Sequence, residues 1–256
     1  METWEVKRLH FIPVIMILWV LSGMLICFLV ALREGHVSAY VPFISEAGGK
    51  LPESGIFGIF LAFGAILGII TIIIQYFIIF KYNYQYSKKI DILNKIALFV
   101  GSISFFGMII VGAYSMYGIL NAHLIGARIV FYGALIYGFL QMLISFFLWP
   151  RVYRIPIFQI RFFICILALI FQIGMIIMFP LGISQWNSSH SPAEKVPGDH
   201  GFAFILASSA CEWLMVILFL CFLLTFAKDF KMISLKISIL SNDQNDRNSE
   251  TTRLIS

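Results

Sequence analysis

The dominant pattern along the chain is a series of six apolar runs, each separated from the next by a polar segment. The runs cover residues 11–32, 56–80, 96–120, 122–149, 162–181 and 202–227. An α-helix rises about 1.5 Å per residue, so about 20 apolar residues cross the ~30 Å hydrocarbon core of a bilayer. The pattern therefore predicts an all-α, polytopic membrane protein built as a bundle of six transmembrane helices.

The composition supports this prediction and excludes a soluble globular domain. The chain has 60% hydrophobic and 12% charged residues and a mean hydropathy of +0.93, whereas soluble domains carry about 25% charged residues. The first run, residues 11–32, is longer than the apolar core of a signal peptide and lacks a small-residue cleavage site. We therefore expect it to remain as the first transmembrane helix.

The net charge of +5 follows membrane topology and gives no reason to expect a nucleic-acid partner. With six crossings, both chain ends and the two basic connectors fall on one side, which holds 14 of the 18 Lys and Arg residues. The positive-inside rule therefore predicts cytosolic N and C termini and a polar, disordered cytosolic tail over residues 241–256. On the opposite, luminal side, Asn187 begins an Asn-Ser-Ser sequence and is a predicted glycosylation site.

An acid, Glu212, lies near the middle of the last apolar run. A carboxylate at that depth costs roughly 2.5–3.5 kcal/mol unless it is protonated, paired or facing a cavity, so Glu212 is predicted to face the bundle beside Trp213. It is either a proton or ligand site or a structural interhelical hydrogen bond. With a reversal at residues 121–128 and a helix from Ala122 capped by Asn121, Arg128 is a candidate ion-pair partner. Snorkelling of Arg128 to the surface is the alternative.

The sequence contains no motif that predicts catalysis or a cofactor. It has no Gly-rich phosphate loop, HExxH, CxxC or GxSxG pattern, and all four cysteines fall in apolar runs, so no disulfide framework is expected. The predicted luminal side collects acids and histidines, but no two histidines stand at a helical i, i+3 or i+4 interval. We interpret these groups as solvated loop polarity and expect no metal site; His123 is the one held next to the predicted reversal.

Three segments together resemble the damage-regulated autophagy modulator (DRAM) family. The first contains Pro42, Ile44, Ser45, Glu46 and Gly48, followed by Pro52 and Glu53; the second contains Ala122, His123, Gly126, Ala127, Tyr137 and Gln141; the third contains Glu212, Trp213, residues 222–226 and residues 229–235. Many relatives carry a cysteine shortly after the Pro-Glu pair, where this chain has Ser54 and Gly55, so the resemblance implies no luminal disulfide here. Arg128 is not part of the family pattern.

The resemblance implies a non-enzymatic six-helix protein of lysosomal or endosomal membranes that promotes autophagy, sometimes together with apoptosis. The wider superfamily also includes plasma-membrane proteins that help to recruit a phosphatidylinositol 4-kinase and a Golgi protein that acts in lipid remodelling. Two alternatives follow: a plasma-membrane scaffold for such a kinase, and a lipid-remodelling enzyme that uses Glu212 and His123. The enzyme alternative predicts a polar cavity joining those two residues.

Two features of the predicted cytosolic side suggest partners. The basic connectors can attract anionic lipid headgroups such as phosphoinositides, at about 1 kcal/mol per basic residue near the surface. In the tail, Glu250, Leu254 and Ile255 fit an acidic dileucine pattern. An exposed acid followed by two adjacent apolar residues on a flexible strand is a shape that sorting adaptors recognise, so we predict that the tail directs the protein to lysosomes or late endosomes.

Overall fold

Six long helices form the protein in a computed structural model, which describes residues 3–84, 86–153 and 156–238. They are α1 Phe11–Arg33, α3 Glu53–Tyr82, α4 Lys88–Ala113, α5 Leu120–Leu148, α6 Ile157–Gln185 and α7 Phe202–Leu224. Each is long and apolar enough to cross a membrane, which confirms the predicted all-α, polytopic fold. The short helices α2 Ile44–Ala47 and α8 Phe226–Phe230, a 3₁₀ turn Pro192–Glu194 and the strands β1 Thr3–Val6 and β2 Leu235–Ser238 complete it.

The reversal between α4 and α5 lies earlier in the chain than the sequence suggested. It occupies residues 114–119, whereas the predicted reversal at residues 121–128 is wholly inside α5. Ile119, and not Asn121, stands at the N-cap of α5. The apolar residues of the reversal extended the hydrophobic run, but the hydroxyl of Ser115 donates to the carbonyl of Gly49 and accepts from the amide of Tyr117. The first bond joins the turn to the first loop and the second lies within the turn, so its polar groups are paired without a helix.

The fifth helix also differs from its predicted bounds. The sequence placed its end near Pro180, yet α6 continues to Gln185 with Pro180 inside it. A proline is tolerated within a transmembrane helix when neighbouring helices satisfy the freed backbone groups. The longer helix brings Gly182 against Ile205 and the start of α7.

The helices pack mainly as chain neighbours, with α1 against α3, α3 against α4, α4 against α5 and α6 against α7. Glycine allows the closest of these approaches. A Cβ atom added to Gly58 on α3 would lie 2.8 Å from the carbonyl oxygen of Gly112 on α4, which is backbone and cannot move aside cheaply. Because neither glycine has a side chain, the two backbones approach closely and gain van der Waals contact, which favours helix association in a membrane.

We therefore expect Gly58→Ala to destabilise the bundle by about 1–3 kcal/mol, because the methyl group overpacks a backbone contact. Gly55→Ala on the same helix is the matched control, since nothing lies within 4 Å of its added Cβ. That control should be neutral or slightly stabilising because alanine has the higher helix propensity. Thermal unfolding of the two variants in one detergent checks the difference; equal midpoints would contradict the close approach.

The two described ends of the chain meet at one end of the bundle. Strands β1 and β2 pair antiparallel, with Thr3 opposite Ser238 and Val6 opposite Leu235. After α7 the chain forms only the short helix α8 before it continues into β2. We call this the strand end, and the end with residues 34–52, 114–119 and 186–201 the loop end. An even number of crossings requires both termini on the same side.

Candidate functional site

One face of α7 holds the first loop against the bundle. The hydroxyl of Ser209 donates to the carbonyl of Val41 (2.6 Å), and the indole nitrogen of Trp213 donates to the carbonyl of Pro42 (2.8 Å). Between them, Oε2 of Glu212 accepts from the backbone amide of Ile44 (2.7 Å). Positions i, i+3 and i+4 of a helix share a face, so these side chains form one contact surface, here called the first-loop contact.

The first-loop contact gives Glu212 a partner other than the one the sequence suggested. The side chain is buried, at 7% exposure, and its Oε2 is paired with the backbone amide of Ile44. Arg128, in contrast, is exposed on α5, about 12 Å from the start of that helix at ~1.5 Å per residue. Among the described residues no ion pair joins Arg128 to Glu212, so the proposed pair is wrong; the Ile44 amide takes its place.

The loop that α7 holds contains a strained residue. Val41 has a φ of +37°, a left-handed conformation that a β-branched side chain rarely adopts. Such a conformation costs of order 1–3 kcal/mol and persists where surrounding contacts over-determine it. Here the carbonyl of Val41 is fixed by Ser209 and that of the next residue, Pro42, by Trp213. The strain indicates that the loop is bound tightly in one conformation.

Three ionisable groups of the loop end are buried, and for the acids Glu46 and Glu53 this corrects the interpretation as solvated loop polarity. Glu46 is 6% exposed and accepts from the amide of Phe43 (2.9 Å). Glu53 is fully buried, and its Oε1 lies 2.6 Å from Nδ1 of His36. Lys195 is fully buried, and its ammonium group has no hydrogen-bond partner among the described residues. Burying an ionisable group costs free energy unless a partner compensates it. The loop end therefore concentrates ionisable groups in positions where a folded protein normally avoids them.

Burial sets the protonation behaviour of the loop end. It raises the pKa of Glu46 above its ordinary value, an effect that the positive charge of Lys195 and the amide of Phe43 partly offset. Burial lowers the pKa of Lys195, and the charge of Glu46 opposes that change. Burial together with the nearby acids Glu46 and Glu194 raises the pKa of Tyr117 to about 12. Glu46 is therefore the loop-end acid whose protonation the fold favours.

This shift predicts that acidification stabilises the loop end. The folded protein keeps the Glu46 proton over a pH range above 4.5, the ordinary pKa, in which the unfolded chain has released it. The contribution of Glu46 to the free energy of unfolding is therefore greatest below about pH 4.5 and falls as the pH rises toward the raised pKa of the folded state. We expect Glu46→Gln to flatten the pH dependence of thermal unfolding above pH 4.5. The exposed acid Glu34, changed to Gln, should leave the slope as in wild type; an unchanged slope in Glu46→Gln would contradict the assignment.

The remaining motif residues take structural positions around this loop. Gly48 packs directly on the ring of Phe57, and Pro52 stands at the N-cap of α3. His123 is buried at the start of α5, with its Nδ1 2.7 Å from the carbonyl of Tyr114. Asn187 is exposed just after α6. Within the described ranges no group of three or more His, Cys, Asp or Glu side chains could hold a metal ion.

A cavity of about 580 Å³ lies beneath the first-loop contact and is lined by all six long helices. Both Glu212 and His123 line it, as does Ser45 of the first loop. A cavity therefore joins these two residues, but its lining is predominantly hydrocarbon, so it is not the polar cavity predicted for a lipid-remodelling enzyme. Its apolar members include Met16, Val20, Met24, Leu61, Phe105, Met108, Phe131, Met175, Val216, Phe219 and Leu220.

A second buried polar cluster, at the strand end, was not found by sequence reasoning. Arg161 on α6 and Asp229 on α8 form an ion pair of 2.7 Å, with side chains 0% and 2% exposed. Arg161 also donates from Nε to the hydroxyl of Thr225 (3.0 Å) and from Nη1 to that of Ser145. Its guanidinium lies 4.9 Å from the ring centre of Phe226, a distance at which cation–π attraction is significant.

Asp229 connects one further helix and a connector to the same cluster. Its Oδ2 accepts from Nε2 of Gln75 on α3 (3.0 Å) and from the hydroxyl of Tyr153 between α5 and α6 (3.3 Å). The sequence contained a partial signal, since Asp229 lies in the third family segment and Thr225 precedes it by one helical turn. Arg161 was grouped with the basic connector because α6 was expected to start at residue 162; it starts at Ile157, which carries Arg161 into the bundle.

The predicted sorting residues Glu250, Leu254 and Ile255 lie outside the described residues, as does the whole of the predicted tail, residues 241–256.

Comparison with known proteins gives consistent matches over most of the chain. The sequence model described as the Frag1/DRAM/Sfk1/Cwh43P N-terminal domain matches residues 8–233. DNA damage-regulated autophagy modulator protein 1 of Xenopus laevis is 30% identical over 93% of this chain and 97% of its own length; the Homo sapiens protein of that name is 31% identical over 91% and 95%. DNA damage-regulated autophagy modulator protein 2 of Rattus norvegicus is 27% identical over 91% and 88%. No solved structure gives a significant match.

Proposed function

The chain belongs to the Frag1/DRAM/Sfk1/Cwh43P family, and on this premise we propose that it is a multi-pass protein of the lysosomal or late endosomal membrane that promotes autophagy. The observation that carries the proposal is the match to autophagy modulators over nearly the full length of both chains. A link to apoptosis belongs to the same proposal, since it accompanies autophagy in the family that the sequence resembles.

The geometry of the buried acids supports a role without catalysis. Glu212 and Glu46 both accept hydrogen bonds from backbone amides of the first loop, and Glu53 contacts His36. Acid–base catalysis needs a group that is free to exchange a proton with a bound substrate, whereas these carboxyls hold the loop in place. We therefore propose that the protein acts through its surfaces as a scaffold or sensor.

The proposed working surface on the cytosolic side is the strand end. Exposed basic residues of the two connectors and α8 lie there, including Lys88, Lys89, Arg151 and Lys228; the guanidinium of Arg151 is 4.0 Å from the ring centre of Tyr86. Such a cluster attracts anionic headgroups, including those of phosphoinositides. Beyond it, the acidic dileucine sequence of the tail would engage sorting adaptors.

Sorting can be tested by replacing Leu254 and Ile255 with alanine in a tagged full-length chain. The double variant should move from lysosomal markers to the cell surface, and its effect on autophagic flux should fall with its lysosomal fraction. Thr251→Ala with Thr252→Ala is the matched control within the same tail and should remain lysosomal. Lysosomal staining unchanged by the dileucine substitution would end the sorting proposal, and wild-type residence at the surface would favour the plasma-membrane scaffold.

Lipid remodelling is the second candidate, favoured by the cavity that joins Glu212 to His123. It requires Glu212 to act in proton transfer, so Glu212→Gln, which keeps an oxygen acceptor for the Ile44 amide, should abolish turnover of a lipid substrate while the protein still folds. A scaffold would keep its effect on autophagic flux in the same variant.

Glycosylation of Asn187 is proposed as well; an Asn187→Gln variant that migrates like wild type on an electrophoresis gel would contradict it.

A further inference from the structure

The central cavity opens sideways between α5 and α6. Several of its lining residues are also exposed on the outer surface of the membrane-spanning helices. These are Leu120, Leu124 and Tyr132 on α5 and Ile176, Phe179 and Ile183 on α6. A side chain that both lines a cavity and faces outward marks the rim of an opening. Hydrocarbon chains of the bilayer therefore have a lateral entry toward the apolar interior.

A basic residue stands at this opening. Arg128 lines the cavity and is exposed, and no acid lies within ion-pair distance of it in the described parts of the chain. A charged group at that depth of a membrane requires compensation from water or a counter-charge. The long arginine side chain can reach toward the headgroup region, where an anionic headgroup supplies that counter-charge.

Inside the opening lies a buried amide without a partner. Gln172 is 3% exposed and lines the cavity, and its Oε1 has no hydrogen bond among the described residues. Measured from the loop ends of their helices, Gln172 is roughly 8 Å deeper than Arg128 at ~1.5 Å per residue. A buried acceptor that receives no hydrogen bond costs free energy, and a water molecule held by the ester group of a bound lipid could donate to Oε1 of Gln172.

We propose that the cavity holds one acyl chain of an anionic phospholipid from the loop-end leaflet, with the headgroup at Arg128 and the chain entering between α5 and α6. From Arg128 to Tyr137, the lining of α5 extends about 14 Å at ~1.5 Å per residue. Half of a ~30 Å hydrocarbon core is about 15 Å, so the cavity matches one chain of one leaflet. Its volume of about 580 Å³ lies within the range of ligand sites.

The hydrocarbon lining of the cavity agrees with a headgroup held at the rim. The carboxyl of Glu212 on the α7 wall is already bound to the Ile44 amide, and most of the remaining lining is apolar, so the interior suits a neutral chain better than a charged headgroup. The inference goes beyond the proposed function, because lipid retention by the purified protein depends on neither sorting nor autophagy. Failure of one therefore leaves the other intact.

The test is native mass spectrometry of the full-length protein, delipidated in detergent and titrated with phosphatidylserine or phosphatidylcholine of identical chains. Wild type should retain one lipid and prefer phosphatidylserine about five-fold, the effect of one basic residue near an anionic head. Arg128→Gln should remove the preference without weakening phosphatidylcholine binding. Arg33→Gln, an exposed arginine at the same end outside the cavity lining, is the matched control and should keep it.

A second pair of variants tests the chain site. Ala127→Phe places a ring in the cavity lining and should reduce retention of both lipids at least ten-fold, while Ala203→Phe, on an exposed position of α7, should not. Should Ala127→Phe fail to give monodisperse protein, Gln172→Leu serves in its place and should weaken both lipids without changing their ratio. Equal retention of both lipids by wild type, equal loss in Arg128→Gln and Arg33→Gln, or competition by oleate as effective as phosphatidylserine would overturn the proposal.

Discussion

Replacing Asp229 with alanine is expected to destabilise the protein by about 3–5 kcal/mol, the largest effect of any single substitution considered for this fold. The change leaves the guanidinium of Arg161 buried without its counter-charge, and it removes the acceptor for Gln75 and Tyr153. Since folded domains are stable by only about 5–15 kcal/mol, most of the variant should be lost as aggregate. The measurement is the yield of monodisperse protein together with its thermal unfolding midpoint.

Two controls distinguish a charge effect from general disruption. Asp91→Ala breaks an exposed ion pair of 2.8 Å with Lys95. Exposed ion pairs contribute little to the free energy of unfolding, so this variant should have the thermal unfolding midpoint of wild type. Arg161→Met combined with Asp229→Leu replaces the buried pair by apolar groups and should recover much of the loss, because buried ion pairs often confer no net stability. A double variant as unstable as Asp229→Ala would show that the hydrogen bonds, and not the charges, matter.

The second large effect is expected from Glu212→Ala, which should release the first loop. The amide of Ile44 would then be buried without an acceptor, at a cost of about 1–3 kcal/mol. The strained Val41 is part of the same loop, so the loss should appear as local opening. Hydrogen exchange of residues 41–49 should become roughly ten- to a hundred-fold faster, since 1.4 kcal/mol corresponds to ten-fold.

Neighbouring serines on α7 provide the matched comparison for the first-loop contact. Ser209→Ala removes the bond to the Val41 carbonyl, and Ser208→Ala removes only a contact of 3.3 Å with Met175 on α6. Exchange in residues 41–49 should rise for Ser209→Ala by less than for Glu212→Ala, and stay at the wild-type rate for Ser208→Ala. Identical exchange in Glu212→Ala and Ser208→Ala would mean that the loop is held by other contacts.

The sequence was sufficient to predict the number and class of the helices because hydrophobic length alone decides them. It was insufficient for helix ends. Residues 114–119 are apolar enough to extend a run, and only the tertiary bond from Ser115 to Gly49 identifies them as a turn. In the same way, Pro180 signals a helix end in water but is accommodated inside α6. Local pattern sets the existence of an element, while contacts with distant segments set its limits.

The candidate site was predicted only in part, for a related reason. The depth of Glu212 requires a partner. The sequence does not show which backbone amide could donate to it, so the prediction named a charged residue, Arg128, where the structure has the amide of Ile44. The pairing of Arg161 with Asp229 was missed because each seemed to lie outside the hydrocarbon. Their positions follow from a helix start five residues earlier and from the packing of α8. Buried polar partners separated by 68 residues are set by tertiary structure.

The pairing of β1 with β2 limits how far the sorting sequence can reach. Strand β2 ends at Ser238 beside Thr3, and twelve residues separate it from Glu250. At no more than ~3.6 Å per residue, Glu250 stands within about 43 Å of the paired strands, and Leu254, four residues further on, within about 58 Å. An adaptor that bound the proposed sorting sequence would therefore dock close to the membrane surface, and a bulky tag fused near Thr3 would compete with it for that space.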